Sequence, residues 1–491
     1  MVSPARAGAV LLLALPGAWT AGQEVSTSPS PSTPAAITIF NGGFAVVRQT
    51  LSLNLKAGIN HITFTGATAH IEPDSIILRD LEKRRKLQIL EQNYRNDPLT
   101  EDRLLFLNEG KTLEFRQQVW DGQGYQERFV PAKVIRSGYG NQPGAIVEVE
   151  GHLQFGLPGE PVFPGLEQDT ILKPTLDWAL KTNKPGNSPA ELSYVTSGME
   201  WHADYNVVAA PKGDTVDLVG WITIENKCGR EFEDARIKLM AGDVHKIASN
   251  LPMIVVSGGI GYAARNALQP VTEKAFDEYH LYTIERPTTL HDSESKQVEF
   301  VAASGVKSSR LYIYNGAAAS SYPADYEQIR SDARYGTESN PKVWVMQEFR
   351  NSKANHLGMP LPKGRVRFYR RDDQGQMEFT GENSIDHTPA DETFRVYTGN
   401  AFDIVGKRRQ TDYKMGARRH ALDESFEIRL RNHKQEAVEV KVVEPLYRGS
   451  NWEISQKTSP YRKLDSQTIE FAVTIPPQGE QVVTYTVHYW W

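Results

Sequence analysis

Cysteine is almost absent from this chain: Cys228 stands alone among 491 residues. A single thiol forms no internal disulfide, so the core must hold without covalent staples. Cys228 sits beside Gly229 in a polar turn, which predicts an exposed, inert thiol. Long apolar runs are missing too. Ala7–Leu15 is shorter than the ~20 residues that span a bilayer, and no later segment reads as a span. Neither sign of charge dominates. Lys plus Arg number 55 against 60 for Asp plus Glu, a net charge of −5. No basic stripe accompanies that balance, which argues against nucleic-acid binding. The short runs Lys83 to Lys86 and Lys407 to Arg409 read as solvated strand ends.

What the chain has in abundance is period-two alternation. In Val216 to Asn226, one face carries Val216, Leu218, Gly220, Ile222 and Ile224, and the other carries Asp217, Val219, Trp221, Thr223 and Glu225. Successive side chains of a strand point to opposite faces, so one set meets a core and the other meets water. The same pattern recurs at Phe426, Ile428 and Leu430, then at Val438, Val440 and Val442, and at Ile469, Phe471, Val473 and Ile475. The fold class expected is all-β, with antiparallel sandwich domains in series and very little helix. One helix is expected after Thr100, which can cap it. Glu101 and Asp102 favour its positive end, and Gly110 can stop it. The stretch Ile428 to Val443 also resembles Ile222 to Ile237: each reads strand, Asn, polar turn, strand.

The length suits about three domains. Arg6, the Ala7–Leu15 run and the small residues Thr20 and Gly22 predict a signal peptide over 1–22, cut before Gln23. Residues 23–36 are rich in Ser, Thr and Pro and read as a tether. An N-terminal β domain is expected over 37–168 and a central β-sandwich region over 169–412. An immunoglobulin-like sandwich, folding by itself, is expected over 413–491.

Candidate chemistry is thin. His202 and Asp204 lie two apart on a strand and so share a face, as do Asp243 and His245. If those strands adjoin, four N and O donors could hold a divalent metal. The competing reading has Asp204 and Asp243 capping turns, with the histidines at strand ends. Gly259-Ile260-Gly261-Tyr262-Ala263-Ala264 matches a dinucleotide fingerprint but lacks the strand–helix setting that motif needs, so it reads as a Gly-rich loop. No G-x-S-x-G elbow occurs. Asp403, Asp412 and Glu382 are available carboxylates without a spacing that pairs them for glycoside hydrolysis. Trp178, Trp201, Trp221, Trp344 and Trp452 could line a sugar-stacking groove, though packing is the commoner fate of such residues. No catalytic residue and no cofactor are expected.

Several segments in one order carry a family likeness. They are Leu192 to Gly198 (LSYVTSG), Trp201 to Tyr205 (WHADY), Leu218 to Asn226 and Ala241 to Val244 (AGDV). Further on come Leu361 to Tyr369 (LPKGRVRFY), Thr398 to Asp403 (TGNAFD), Val443 to Pro445 and Trp452 to Ile454. Together they resemble the bacterial domain-of-unknown-function family 4139, which includes mucoidy inhibitor A-like proteins. The likeness covers roughly Leu172 to the end. It implies export and a β-rich fold with no established reaction. The expectation is an exported, non-enzymatic protein of the periplasm or cell exterior that binds an envelope glycan or protein. The alternative is a hydrolase acting on envelope polysaccharide, with a metal held by the His/Asp pairs assisting.

Overall fold

The computed structural model describes residues 31–96, 99–140, 143–165, 172–211, 213–242, 271–276, 279–317, 326–337, 339–417 and 420–491. The expected signal peptide, most of the tether, the Gly-rich 259–264 motif, Asp243 and His245 lie outside them. Among the described residues there are 29 strands and two α-helices, so the fold is all-β. None of these helices is long and apolar enough to cross a membrane.

The chain divides into two compact units. Arg48–Tyr194 forms the first, and Pro34–Val47 with Val195–Trp491 forms the second. In the first unit a five-stranded sheet is built on Thr112–Trp120 and Tyr125–Arg136. The short helix Glu101–Leu107 lies beside it, and Leu105 packs with Phe115, Val134 and Val147 in one cluster. The cap is the one the sequence predicts: Thr100 accepts a hydrogen bond from the Arg103 amide at 3.2 Å, satisfying one of the helix's unpaired donors. In a second, three-stranded sheet of this unit, Thr175–Thr182 lies between Gly58–Thr65 and Gln88–Arg95. Trp178 is buried there and donates its indole N–H to Gln92 at 3.0 Å.

The second unit is dominated by one sheet of 13 strands. Its first half runs Met377–Ile385, Gly364–Arg371, Met199–Ala209, Thr215–Asn226, Glu294–Tyr314. Its second half continues through Lys342–Arg350, Thr393–Met415, Ala421–Asn432, Glu480–Trp490 and Trp452–Lys457. The alternation read from Val216 onward holds: Leu218, Ile222 and Ile224 are buried, while Asp217 is exposed.

Two boundaries fall elsewhere than expected. The one placed at 412 lies inside the strand Thr393–Met415. Phe426, Phe471 and Tyr485 share one core with Tyr312, Tyr314, Val343 and Ile404, so the C-terminal strands complete a sandwich begun a hundred residues earlier. The division at Tyr194 lies inside the strand Gly186–Ser197. The charged run at 407 also needs correction. Lys407 and Arg409 are exposed, but Arg408 between them points to the core and is 2% exposed.

The likeness between residues 222–237 and 428–443 is structural as well, although neither is a hairpin: Thr215–Asn226 does not pair with Phe232–Ala241, nor Ala421–Asn432 with Val438–Pro445. Asn226 donates to the carbonyls of Arg230 and His291 at 2.8 and 3.0 Å and accepts from the Cys228 amide at 3.3 Å. Asn432 donates to Glu436 and Pro476 at 2.7 and 3.1 Å and accepts from the Lys434 amide at 2.9 Å. Each buried Asn thus ties off its own turn and the end of a distant strand. Each clamped strand also ends a hairpin, Met199–Ala209 with Thr215–Asn226 and Thr393–Met415 with Ala421–Asn432, and the two hairpins close alike, with Ala209 opposite Val216 in one and Met415 opposite Leu422 in the other. Cys228 is inside the first of these turns, and is buried rather than exposed. Burial pushes its thiol up to about 12.

Candidate functional site: an open sheet face and a basic cleft

His202 and Asp204 do share a face, on the strand Met199–Ala209. Trp201, Ala203 and Tyr205 between them fill the core, which turns His202 and Asp204 to the opposite side. The parallel neighbour sets Arg365 beside Asp204 and Arg367 beside Asn206. The antiparallel neighbour sets Thr223 opposite His202 and Trp221 opposite Asp204.

Asp204 is the hub of this face. One carboxylate oxygen meets His202 Nε2 at 3.2 Å and accepts from the Thr223 hydroxyl at 3.4 Å. The other meets Arg365 Nε at 3.3 Å and Arg367 Nη1 at 3.4 Å. Gln297 extends the network by donating to Thr223 at 3.2 Å, and Arg367 stands 3.6 Å from Glu382. The Asp204 side chain is only 8% exposed beneath these longer groups. Burial works against its charge. The hydrogen bond and charge of His202, with Arg367 and Arg365, outweigh burial and hold its carboxyl below the ordinary aspartate value. His202 moves the other way: its hydrogen bond to Asp204 lifts the imidazole above its ordinary value against partial burial.

Asp204 is therefore not a turn cap. It sits in mid-strand, and its partners are side chains up to 163 residues away. The pairing with Asp243 and His245 falls outside the described residues. Among the described residues no three His, Cys, Asp or Glu side chains gather as a ligand set. The two arginines also bear on metal binding, because they place positive charge on the carboxylate a cation would need.

Further along the same face the side chains become apolar. Val208 is flanked by Tyr369, and Tyr369 packs edge-on against Phe379 with ring centroids 5.7 Å apart. Phe379 is 56% exposed. Trp221 lies on this face too, half-buried. Of the other tryptophans, Trp201 is buried, Trp452 is half-buried, and Trp344 is partly exposed.

Sequence reasoning missed a second feature of this unit. A cleft of about 250 Å³ is lined by Arg310, Arg370 and Lys434, with Phe402, Asp403 and Asn400. Its walls come from two of the segments that carried the family likeness, the end of LPKGRVRFY and the whole of TGNAFD. Asn400 pairs with Trp344 and Val405 with Lys342, so the residues between them bulge out of the ladder. Bulges re-aim side chains, and this one leaves Phe402 96% exposed. Strands approach closely here: a side chain on Gly381 would come within 2.6 Å of the Thr398 carbonyl oxygen.

A many-stranded, mostly antiparallel architecture with some parallel pairs, an open, charged sheet face and a shallow basic cleft defines an all-β protein of the multi-sheet class. The chain belongs to the family described as Domain of unknown function (DUF4139), whose model matches residues 190–491. No curated protein matches the chain.

Proposed function

We propose that this is an exported, non-enzymatic protein of the cell envelope that binds a glycan on the open sheet face around Asp204. The observation that supports this reading is the composition of that face. Tyr369 and Phe379 offer aromatic surface for the apolar side of a sugar ring. Further along the same face, His202, Arg365, Arg367, Glu382 and Gln297 offer donors and acceptors for hydroxyl groups. Asp204 holds these groups in place, and pre-organised side chains lose less entropy on binding. With both carboxylate oxygens engaged by charged or hydroxyl partners, Asp204 is suited to organising the face rather than to transferring protons. Export rests on the N-terminal pattern of Arg6, Ala7–Leu15 and the small residues before Gln23.

A glycan array probed with the full-length chain tests the binding reading. Saturable binding is expected, weakened about tenfold by Tyr369→Ala or Phe379→Ala. No bound glycan, or binding that both variants leave intact, would refute it. Mass spectrometry of mature protein tests export: the expected N-terminus is near Gln23, and a retained Met1 would overturn it.

A further inference from the structure

The cleft adjoins the sheet face at Tyr369, and its charge is one-sided. Arg310, Arg370 and Lys434 all line it, against the single carboxylate of Asp403. None of the three cations forms an ion pair with a carboxylate of the described residues. Arg370 spends one Nη on the Ala210 carbonyl at 2.8 Å and the Pro211 carbonyl at 3.4 Å, which anchors it at the wall. Lys434 donates to the Tyr312 hydroxyl at 2.8 Å and lies 5.0 Å from that ring's centroid. The Arg310 side chain makes no hydrogen bond to the described residues. Burial and then the neighbouring Arg310 charge hold Arg370 below the ordinary arginine value, with Asp214 only partly offsetting them. Three cations against one lining carboxylate leave positive charge for an anionic ligand to neutralise.

Phe402 narrows the ligand's class. A phenylalanine at 96% exposure on a strand loses hydrophobic stabilisation unless something covers it. The bulge that turns it out belongs to the same stretch that lines the cleft. An anion with no apolar surface would use the three cations and leave Phe402 bare. The cleft volume, about 250 Å³, falls below the roughly 300–1,000 Å³ of sites that enclose drug-sized molecules. It suits one ring, not an enclosed chain. Asn400 and Asp403 at the rim supply a donor and acceptors of the kind hydroxyl groups use.

We propose that this cleft binds a carboxylate-bearing sugar ring, with Arg310, Arg370 and Lys434 on the carboxylate and Phe402 against the ring's apolar face. Tyr369 borders both this cleft and the sheet face, while Arg310, Arg370, Lys434 and Phe402 belong to the cleft alone, so variants of these four test the cleft apart from the sheet-face reading.

Calorimetric titration of the full-length chain with glucuronate, glucose and inorganic phosphate tests it. Saturable binding of glucuronate is expected, with no binding of glucose over the same range. Arg310→Gln and Phe402→Ala should each weaken glucuronate binding by about tenfold. Both residues are exposed, so their melting temperatures should match the parent. If Arg310→Gln nevertheless loses stability, the parent titrated at rising salt replaces it, and the affinity should fall as screening increases. Phosphate binding as tightly as glucuronate would overturn the sugar assignment. So would unchanged affinity in Phe402→Ala. Absence of saturable glucuronate binding, or affinity insensitive to salt, would overturn the site itself.

Discussion

Replacing Glu444 with Gln should be among the most damaging conservative changes this protein can suffer. Glu444 and Arg408 have side chains with 0% exposure and meet at 2.8 Å through Arg408 Nε. The Tyr485 hydroxyl donates to the same carboxylate oxygen at 2.6 Å. Arg408 further donates to the Gly336 carbonyl at 2.8 Å, and its guanidinium lies 3.7 Å from the centroid of the Phe426 ring. Burial opposes the Arg408 charge, and Glu444 more than restores it, so its pKa stands above the ordinary arginine value. Glu444→Gln keeps the shape and an acceptor but removes the counter-charge. Breaking a buried pair from one side costs about 3–5 kcal/mol, because the remaining ion has no water to turn to. At roughly 2 °C per kcal/mol for a large unit, that is a fall of about 6–10 °C in Tm. The double variant Arg408→Met with Glu444→Leu removes both charges. It should be at least ~2 kcal/mol more stable than Glu444→Gln, since apolar replacement of a buried pair is often neutral or better. Equilibrium urea unfolding followed by tryptophan fluorescence reads both. A cost below ~1 kcal/mol for the single variant would refute the reasoning. A double variant that loses the sum of its two single losses would do the same.

Three further outcomes are expected. Asn432→Ala removes one acceptor and two strong donors from a buried turn and should cost about 2–4 kcal/mol in urea unfolding; a loss under ~0.5 kcal/mol would show that the turn holds without its clamp. His202 should titrate above the ordinary imidazole value by NMR and fall toward it in Asp204→Asn. Because its folded value is raised, the linked stability is complete below the ordinary value and is lost as pH rises through the raised one. His202→Gln should therefore cost more at about pH 5.5 than at about pH 9; the opposite order would contradict the pairing. Cys228, with its thiol pushed up to about 12 by burial, should resist Ellman's reagent in native buffer and react fully in denaturant; fast stoichiometric reaction of native protein would place it at the surface.

Local pattern made much of the fold legible in the sequence. Period two marked Thr215–Asn226 and Thr468–Ile475 as strands, and Thr100 with two acids marked the helix start. Both signals lie within a dozen residues of what they determine. What escaped notice depends on partners far along the chain. Arg408 sits between two exposed cations and looks solvated until Glu444 meets it from another strand. Cys228 looks exposed beside Gly229 until Asn226 draws His291 over the turn. Asp204 looks like a turn residue until Arg365 and Arg367 arrive on a parallel neighbour. The pairing of His202 with Asp204 was readable because two residues apart on a strand is a local relation. The cleft was not, although TGNAFD held a signal: a glycine followed closely by an aromatic and an acid in a strand suggests a bulge.

The two asparagine-clamped hairpins carry a lesson about buried charge. Counting back from the clamps, Ile222 and Ile428 each stand four residues before their Asn, and Leu218 and Glu424 each stand eight before. Ala203 faces Ile222, and Arg408 faces Ile428. Where the first hairpin places alanine and leucine, the second places arginine and glutamate. Glu424 is itself buried against Arg448 at 2.8 Å. One chain thus answers the same packing problem twice, once with hydrocarbon and once with ions. The charged answer does more than fill space: Arg448 also donates to the carbonyls of Ile329, Asp332 and Tyr335, and Arg408 to that of Gly336. Those four carbonyls belong to a stretch with one short helix and no strand. Ions in the second core give that stretch directional anchors that a leucine or an alanine has no means to offer.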